Sequence, residues 1–290
     1  NEPHLLRCLV ARRRMNSRCK TFSCACAVLS LLGVVLGWMA DGYGDSNCKL
    51  GWFAVVAAIS WLMIKMLGCI STATKRKAAL LQQYFDARIF AVEASSMGNT
   101  ALGVSLTDSE IVELINNVSM DDVRDAKVEN WYQPTEGLNS FERILDCQCQ
   151  CVRWEKTQRW CYFVFSSCMV FVICIGGLVM NMDAKLYLFT YRLLLAGAFV
   201  EMLVDGAVCQ ISDLIRIHGI MDLIRRIEHG DAGLSLDFDS LVYLQNRIYE
   251  HRREASYIPD WFYWLCHKWL QPRAERISEV RKEMKGEAHA

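Results

Sequence analysis

Proline is scarce in this chain, 4 of 290 residues, and a net charge is missing altogether, with Lys+Arg 32 against Asp+Glu 32. That composition excludes Pro-rich disorder, collagen and a small disulfide scaffold. It also excludes a strongly basic nucleic-acid binder, so no nucleic acid polymer is expected as a partner. Enzyme signatures are missing too: GxGxxG, GxxxxGKS/T, HExxH and GxSxG do not occur. The six histidines (His4, His218, His229, His251, His267 and His289) are scattered, and none pairs with a nearby nucleophile. Neither catalytic residues nor a metal nor a cofactor is expected. Strand-period alternation, internal repeats, a low-complexity tail and a Pro/Ser linker are absent as well.

What is present is apolar sequence gathered into four blocks. Thr21–Ala40 and Trp160–Met182 carry no charge, Leu50–Thr74 carries only Lys65, and Leu186–Gln210 carries Arg192, Glu201 and Asp205. A spanning helix needs about 20 apolar residues, and none of the blocks has the polar stripe of an amphipathic core helix. Four transmembrane helices in two hairpins are expected. The first block is too long for a signal h-region of about 7–15 residues, and a second block follows after nine residues. The chain starts at Asn1, and a few leading residues are expected before it.

Charge orients the blocks. Arg7, Arg12, Arg13, Arg14, Arg18 and Lys20 precede the first; Lys75, Arg76 and Lys77 follow the second; Arg153, Lys156 and Arg159 precede the third; Arg216, Arg225 and Arg226 follow the fourth. Positive charge beside spanning helices marks the cytoplasmic side. Both termini and the long 75–159 segment are therefore expected inside, with only Asp41–Lys49 and Asp183–Lys185 outside. The chain divides into a basic N-terminus (1–20), a first transmembrane hairpin (21–74), a cytoplasmic helical segment (75–159), a second hairpin (160–210) and C-terminal cytoplasmic helices (211–290).

The cytoplasmic parts also read as helices. Residues 75–94 continue the second block with Ala79, Leu80, Tyr84, Ala87 and Phe90 at helical spacing. Ser96–Gly103 breaks that helix, and Thr107–Glu110 is a capping box opening the next. A loop surrounds Trp131–Pro134, and 139–159 runs helically into the third block. The fourth block continues over 211–228, Gly230–Gly233 breaks it, and further helices are expected over 239–256 and 260–284. The fold class is an all-α membrane protein, with long helices extending from two hairpins into a cytoplasmic helical layer.

Fourteen cysteines do not argue for disulfides, because most lie in the membrane blocks or on the reducing side. In CQCQC only Cys147 and Cys151 share a helical face, and buried small side chains explain the cluster better than a zinc site.

Two groups of residues are candidate functional sites. Lys65 and Glu201 are each the sixteenth residue of their blocks, hence both about 22 Å from the outer edge. Opposite charges at one depth suggest a pair. It reads either as gating a water-filled path or as an inter-helix clamp, with snorkelling of Lys65 a further option. Arg192 lies near the outer edge and Asp205 near the inner interface. The second group is cytoplasmic: Tyr84, Phe85, Asp86 and Arg88, then Trp131 and Tyr132, then Gln148, Arg153 and Trp154. Aromatic faces stack on bases and Arg binds phosphate, so this mixture suits a cyclic nucleotide; Trp and Tyr near membrane ends also serve as interface anchors.

LQQYFDARIF after a hydrophobic hairpin, then ENWYQP, then LDCQCQCVRWEKTQRWCY leading into a second hairpin, resembles the SMODS-associating four-transmembrane effector family over roughly Phe22–Gln210. The family's recurring pairs would be Phe85-Asp86, Trp131-Tyr132 and Cys147-Gln148 here, with Cys149 where an Arg is more usual. The resemblance implies a multi-pass protein of the bacterial inner membrane in an anti-phage system. A neighbouring nucleotidyltransferase makes a cyclic di- or trinucleotide; the effector binds it, forms a homo-oligomer and permeabilises or disrupts the bilayer in abortive infection. From other classes, a constitutive or ion-gated channel or transporter with Lys65 and Glu201 in its path, and a membrane scaffold docking through the Trp-rich 257–270 segment, remain as alternatives.

Overall fold

A computed structural model describes residues 3–41, 47–95, 107–126, 128, 131–132, 138–180, 182, 197–266 and 276. Among these no strand occurs. The long elements are α1 (Pro3–Asp41), α2 (Asn47–Ser95), α5 (Ser140–Met180) and α6 (Gly197–His229). Shorter ones are α3 (Asp108–Ile115), α4 (Met120–Ala126) and α7 (Phe238–Glu254), with a final helical stretch over 260–266. The expected break at Ser96–Gly103, most of both outer turns, the outer part of the fourth block with Arg192, and most of 267–284 lie outside the described residues.

Each long helix joins an apolar block to a more polar segment without a break. α2 has 49 residues and is about 74 Å long, far beyond an ordinary globular helix. With four prolines in the chain, little interrupts such runs. Within the described residues, one segment, Ser140–Val179, is long and apolar enough to cross a membrane. Leu31 and Leu32 on α1, Ile59 and Leu62 on α2, Phe171 and Val172 on α5, and Val204 and Val208 on α6 are exposed. Such a contiguous apolar surface is not left to water.

Local chemistry sets the helix ends. Thr107 and Glu110 form the expected capping box at α3. Ser119 with Asp122 and Asn139 with Glu142 make the same reciprocal bonds at α4 and α5. Gly230 and Gly233, at φ 68 and 75, turn the chain between α6 and α7; that left-handed backbone favours glycine. Asp237 caps the start of α7 through Ser240 N at 2.8 Å. At its other end Lys75 donates to the carbonyls of Glu254 and Ala255 at 3.1 and 3.0 Å, a cation on the negative end of the helix.

α1 lies along α2 and α5 along α6, while α7 packs on α2, α5 and α6. The helical layer beyond the apolar blocks has two apolar clusters. One joins Ala87 and Phe90 of α2 to Leu145 and Val152 of α5, Ile217 and Ile224 of α6, and Leu244 and Ile248 of α7. The other joins Leu5, Leu9 and Val10 of α1 to Leu81, Tyr84 and Phe85 of α2 and to Ile111, Ile115 and Val123. α2 therefore runs between the clusters, and residues 78–87 are buried on nearly every side. The sequence alone suggested one apolar stripe there.

The basic N-terminus is likewise a docked helix rather than a charged tail. Arg13 donates to Ala126 O at 3.1 Å and Arg14 to Asn117 O at 2.9 Å, with Asp122 as its ion partner. Leu9, 2% exposed, is core. We expect Leu9→Ala to lower folding stability by about 2–5 kcal/mol, read as a drop in the denaturation midpoint of the purified protein. An unchanged midpoint would show that α1 does not belong to the core.

The Trp-rich segment is divided between core and surface. Phe262 is buried against Tyr162 and Phe165, at ring centroid distances of 5.0 and 5.4 Å. Trp261, Trp264 and Leu265 are exposed, although the Trp261 ring also meets Phe165, at 5.6 Å.

Candidate functional site

Gln82, Gln83 and Asp86, polar residues of α2, do not meet water. Asp86 is fully buried between the two clusters, and three side chains converge on its carboxylate. Arg252 of α7 pairs with Oδ2 at 2.6 Å, and Gln245, two turns earlier, donates to the same oxygen at 3.0 Å. The Tyr132 hydroxyl donates to Oδ1 at 2.7 Å. Tyr132 belongs to no described helix, and packing holds it there: its ring lies 6.3 Å from that of Phe85 and 5.7 Å from that of Phe90.

The network continues along α7. Gln245 also donates to Gln83 Oε1 at 2.9 Å, and Gln148 of α5 donates to Gln245 Oε1 at 3.0 Å and to Leu241 O at 3.3 Å. All four of these groups are buried. On the α1 side, Arg12 lies 5.3 Å over the face of Trp131, a cation–π arrangement.

Charges perturb one another here. Burial opposes ionisation of Arg252, but Asp86, joined by Tyr132 and Cys151, outweighs burial and holds the guanidinium above its ordinary pKa. Burial, and then the neighbouring Arg252, push Arg12 below its ordinary value, with Asp86 opposing. Tyr132 is held well above the usual phenol range by burial and by the Asp86 charge, so its hydroxyl remains a donor.

A second polar cluster lies nearer the apolar segments. Arg159 of α5 reaches Asp213 of α6 at 2.8 Å and Glu155 at 2.8 Å. His251 of α7 meets the same Glu155 oxygen at 3.0 Å, and Ser256 N donates to Asp213 at 2.8 Å. α5, α6 and α7 are thus bound together just below the third block. Burial would raise the Glu155 pKa, but Arg159 and His251 hold it well below 4.5. A depressed carboxylate contributes stability in full above its unfolded pKa and loses it as pH falls through the folded value. We expect the thermal midpoint to start falling as pH drops below about 4.5, and Glu155→Gln to remove that part of the fall. An identical acid profile in the variant would reject the assignment.

Of the residues singled out from sequence, Asp86, Tyr132 and Gln148 meet in the first network, with Phe85 packed on Tyr132; Trp131 is exposed and meets Arg12. Tyr84 is buried in the α1 cluster, and Arg88 is exposed, stacked 5.3 Å over the Tyr84 ring and 3.9 Å from Asp108. Arg153 and Trp154 lie half-buried farther along α5 and are not among the partners of Asp86. The arginines near Asp86 are instead Arg252 and Arg12, which sequence reasoning did not select; nor did it select Gln83, Gln245, Glu155 or His251. A signal for them exists. Gln245, His251 and Arg252 continue the buried stripe of Leu241, Leu244 and Ile248, and a polar residue on an apolar stripe needs a partner.

In the apolar band Lys65 Nζ lies 2.6 Å from Glu201 Oε1, and Trp61 Nε1 donates to Glu201 Oε2 at 3.0 Å. Asp205, one turn farther along α6, is exposed, and Arg192 is outside the described residues. Cys147 and Cys149 pack within the apolar cluster around α5.

Comparison with curated proteins finds no match, and neither does comparison with solved structures. The model of one protein family, the SMODS-associating 4TM effector domain, matches residues 1–279. Nearly the whole chain is covered, including α7 with Arg252 beyond the stretch that carries the motifs, and the chain belongs to the SMODS-associating 4TM effector domain family.

Proposed function

We propose that the chain is the membrane effector of a cyclic-oligonucleotide anti-phage system. It binds its messenger in the cytoplasmic layer around Asp86 and answers by assembling in, and permeabilising, the inner membrane. The observation that carries this reading is convergence: Asp86, Tyr132 and Gln148, far apart in sequence, meet in one buried polar network, with Phe85 stacked on Tyr132. The effector name of the family supports it. The protein acts as a ligand-triggered membrane component, not as an enzyme.

Connection to the membrane is direct. Asp86 lies 12 residues beyond Thr74 and Gln148 lies 12 before Trp160, so both sit about 18 Å from the apolar blocks on unbroken helices. The four blocks span as two hairpins, with both termini inside. A ligand that prefers a different spacing of α2, α5 and α7 shifts the membrane helices by its differential affinity. The exposed apolar faces of α1, α2, α5 and α6 then serve contacts with lipid and between copies.

The test is purified protein in liposomes, challenged with cyclic di- and trinucleotides. Expected results are a raised thermal midpoint and dye leakage with at least one of them. Leakage of the same extent without any nucleotide would favour a constitutive channel, and no shift and no leakage with all of them would end the effector reading.

A further inference from the structure

Gln148 carries a polar atom that the folded chain leaves unused. Its side chain is 2% exposed, and its Oε1 has no hydrogen-bond partner among the described residues. The orientation of the amide is fixed by its surroundings. Leu241 O is a carbonyl and accepts only, so the nitrogen must face it. Gln245 is oriented in the same way, since its nitrogen serves the Asp86 carboxylate. The bonds therefore run in one direction, from Gln148 to Gln245 to Asp86, and the orphan at the end of the chain is an acceptor.

Among the described residues of this network no donor is left for it. The Tyr132 hydroxyl is committed to Asp86, and the Gln245 amide spends its protons on Gln83 and Asp86. A donor must come from what binds there. The phosphates of a cyclic oligonucleotide only accept; its free ribose hydroxyls and the N–H groups of its bases donate, and only the base donors differ from one messenger to the next. The surroundings also limit which base edge fits. Leu241 O, Gln83 Oε1 and the Asp86 carboxylate are all acceptors, so a donor flanked by carbonyl oxygens, as in uracil, brings lone pairs against lone pairs. An exocyclic amine projects beyond its ring and carries two protons.

Resting on the effector reading above, we propose that Gln148 selects a messenger base bearing an exocyclic amine (adenine, guanine or cytosine), which donates to Oε1, with Arg12 available to the adjoining phosphate. Arg12 fits that role because it stacks on Trp131, and among the described residues no carboxylate pairs with it. Since Gln148 is buried between α5 and α7, admitting a base requires those helices to part. The residue that reads the ligand is then also the one whose occupation moves the helices.

The experiment uses the full-length protein and cyclic nucleotides matched in ring size and linkage but differing in base. Adenine and guanine rings are compared with the corresponding hypoxanthine ring, and cytosine with uracil. Amine-bearing rings are expected to bind at least about tenfold tighter than their amine-free counterparts. Gln148→Met should reduce the difference to less than about twofold. The wild-type comparison alone is decisive should that variant not fold. A uracil or hypoxanthine ring binding as tightly as its matched amine-bearing ring, or discrimination surviving in Gln148→Met, overturns the proposal while leaving the effector reading in place. No binding by any ring overturns the effector reading and this proposal with it.

Discussion

Asp86→Leu is expected to cost about 3–5 kcal/mol of folding stability, and Asp86→Leu combined with Arg252→Met to recover most of that loss. The carboxylate is fully buried and the Arg252 side chain 12% exposed. Removing one partner leaves an uncompensated buried charge, whereas removing both leaves an apolar contact between α2 and α7. Tyr132 and Gln245 also lose an acceptor in either variant, so recovery falls short of wild type by the cost of those two donors. Thermal or denaturant midpoints of the single and double variants measure this. The double variant is expected to be folded yet silent to nucleotide, because the polar network is gone while the packing remains. If the double variant is as unstable as the single, the pair is not the dominant electrostatic contact. If it is stable and still responds to nucleotide, the site lies elsewhere.

Much of the fold was readable from periodicity and caps. The capping box at Thr107 and the runs of helix through residues 75–94 and 139–159 rest on local signals that tertiary context reinforces. α1 was harder. Its first turns contain Arg12, Arg13 and Arg14, which read as a marker of membrane orientation, yet Leu5, Cys8, Leu9 and Cys19 form a buried stripe interleaved with them. Arginine hides such a stripe because its long stem allows the charge to leave the core while its neighbours stay in. The site was half legible. Asp86 and Gln148 lie in short motifs, whereas Arg252 and Gln245 lie far along the chain in a segment without one. Only the three-dimensional arrangement states that one carboxylate on α2 must be matched by one arginine on α7. Arg88 and Arg153 were the natural choices by sequence proximity, but an exposed guanidinium already paired near Asp108 has little reason to enter a buried site.

Charge exchange between Lys65 and Glu201 is the second large effect expected. Lys65→Glu sets two carboxylates together with the Trp61 indole as the remaining donor, and Glu201→Lys sets two ammonium groups together. Neither arrangement is tolerated among exposed apolar side chains such as Leu62, Met66 and Val204. Each single reversal is expected to reduce the membrane-inserted yield by at least about tenfold, and the double reversal to return it to within about threefold of wild type. The Trp61 ring helps the exchanged pair, since it already lies 5.6 Å from an ammonium group and accepts one from either helix. A double reversal as poor as the singles would mean that the pair does not act as a unit. The same variant separates the clamp from the path. A clamp needs only opposite charges, so the exchanged protein is expected to show the same nucleotide-dependent leakage as that expected of the wild type. A path lined by these groups presents its charges in a fixed order, so exchange should restore insertion but change the ion preference of the leak. Since both side chains remain nearly half exposed, the second outcome would place them against water in the assembled state, and the first against a neighbouring copy.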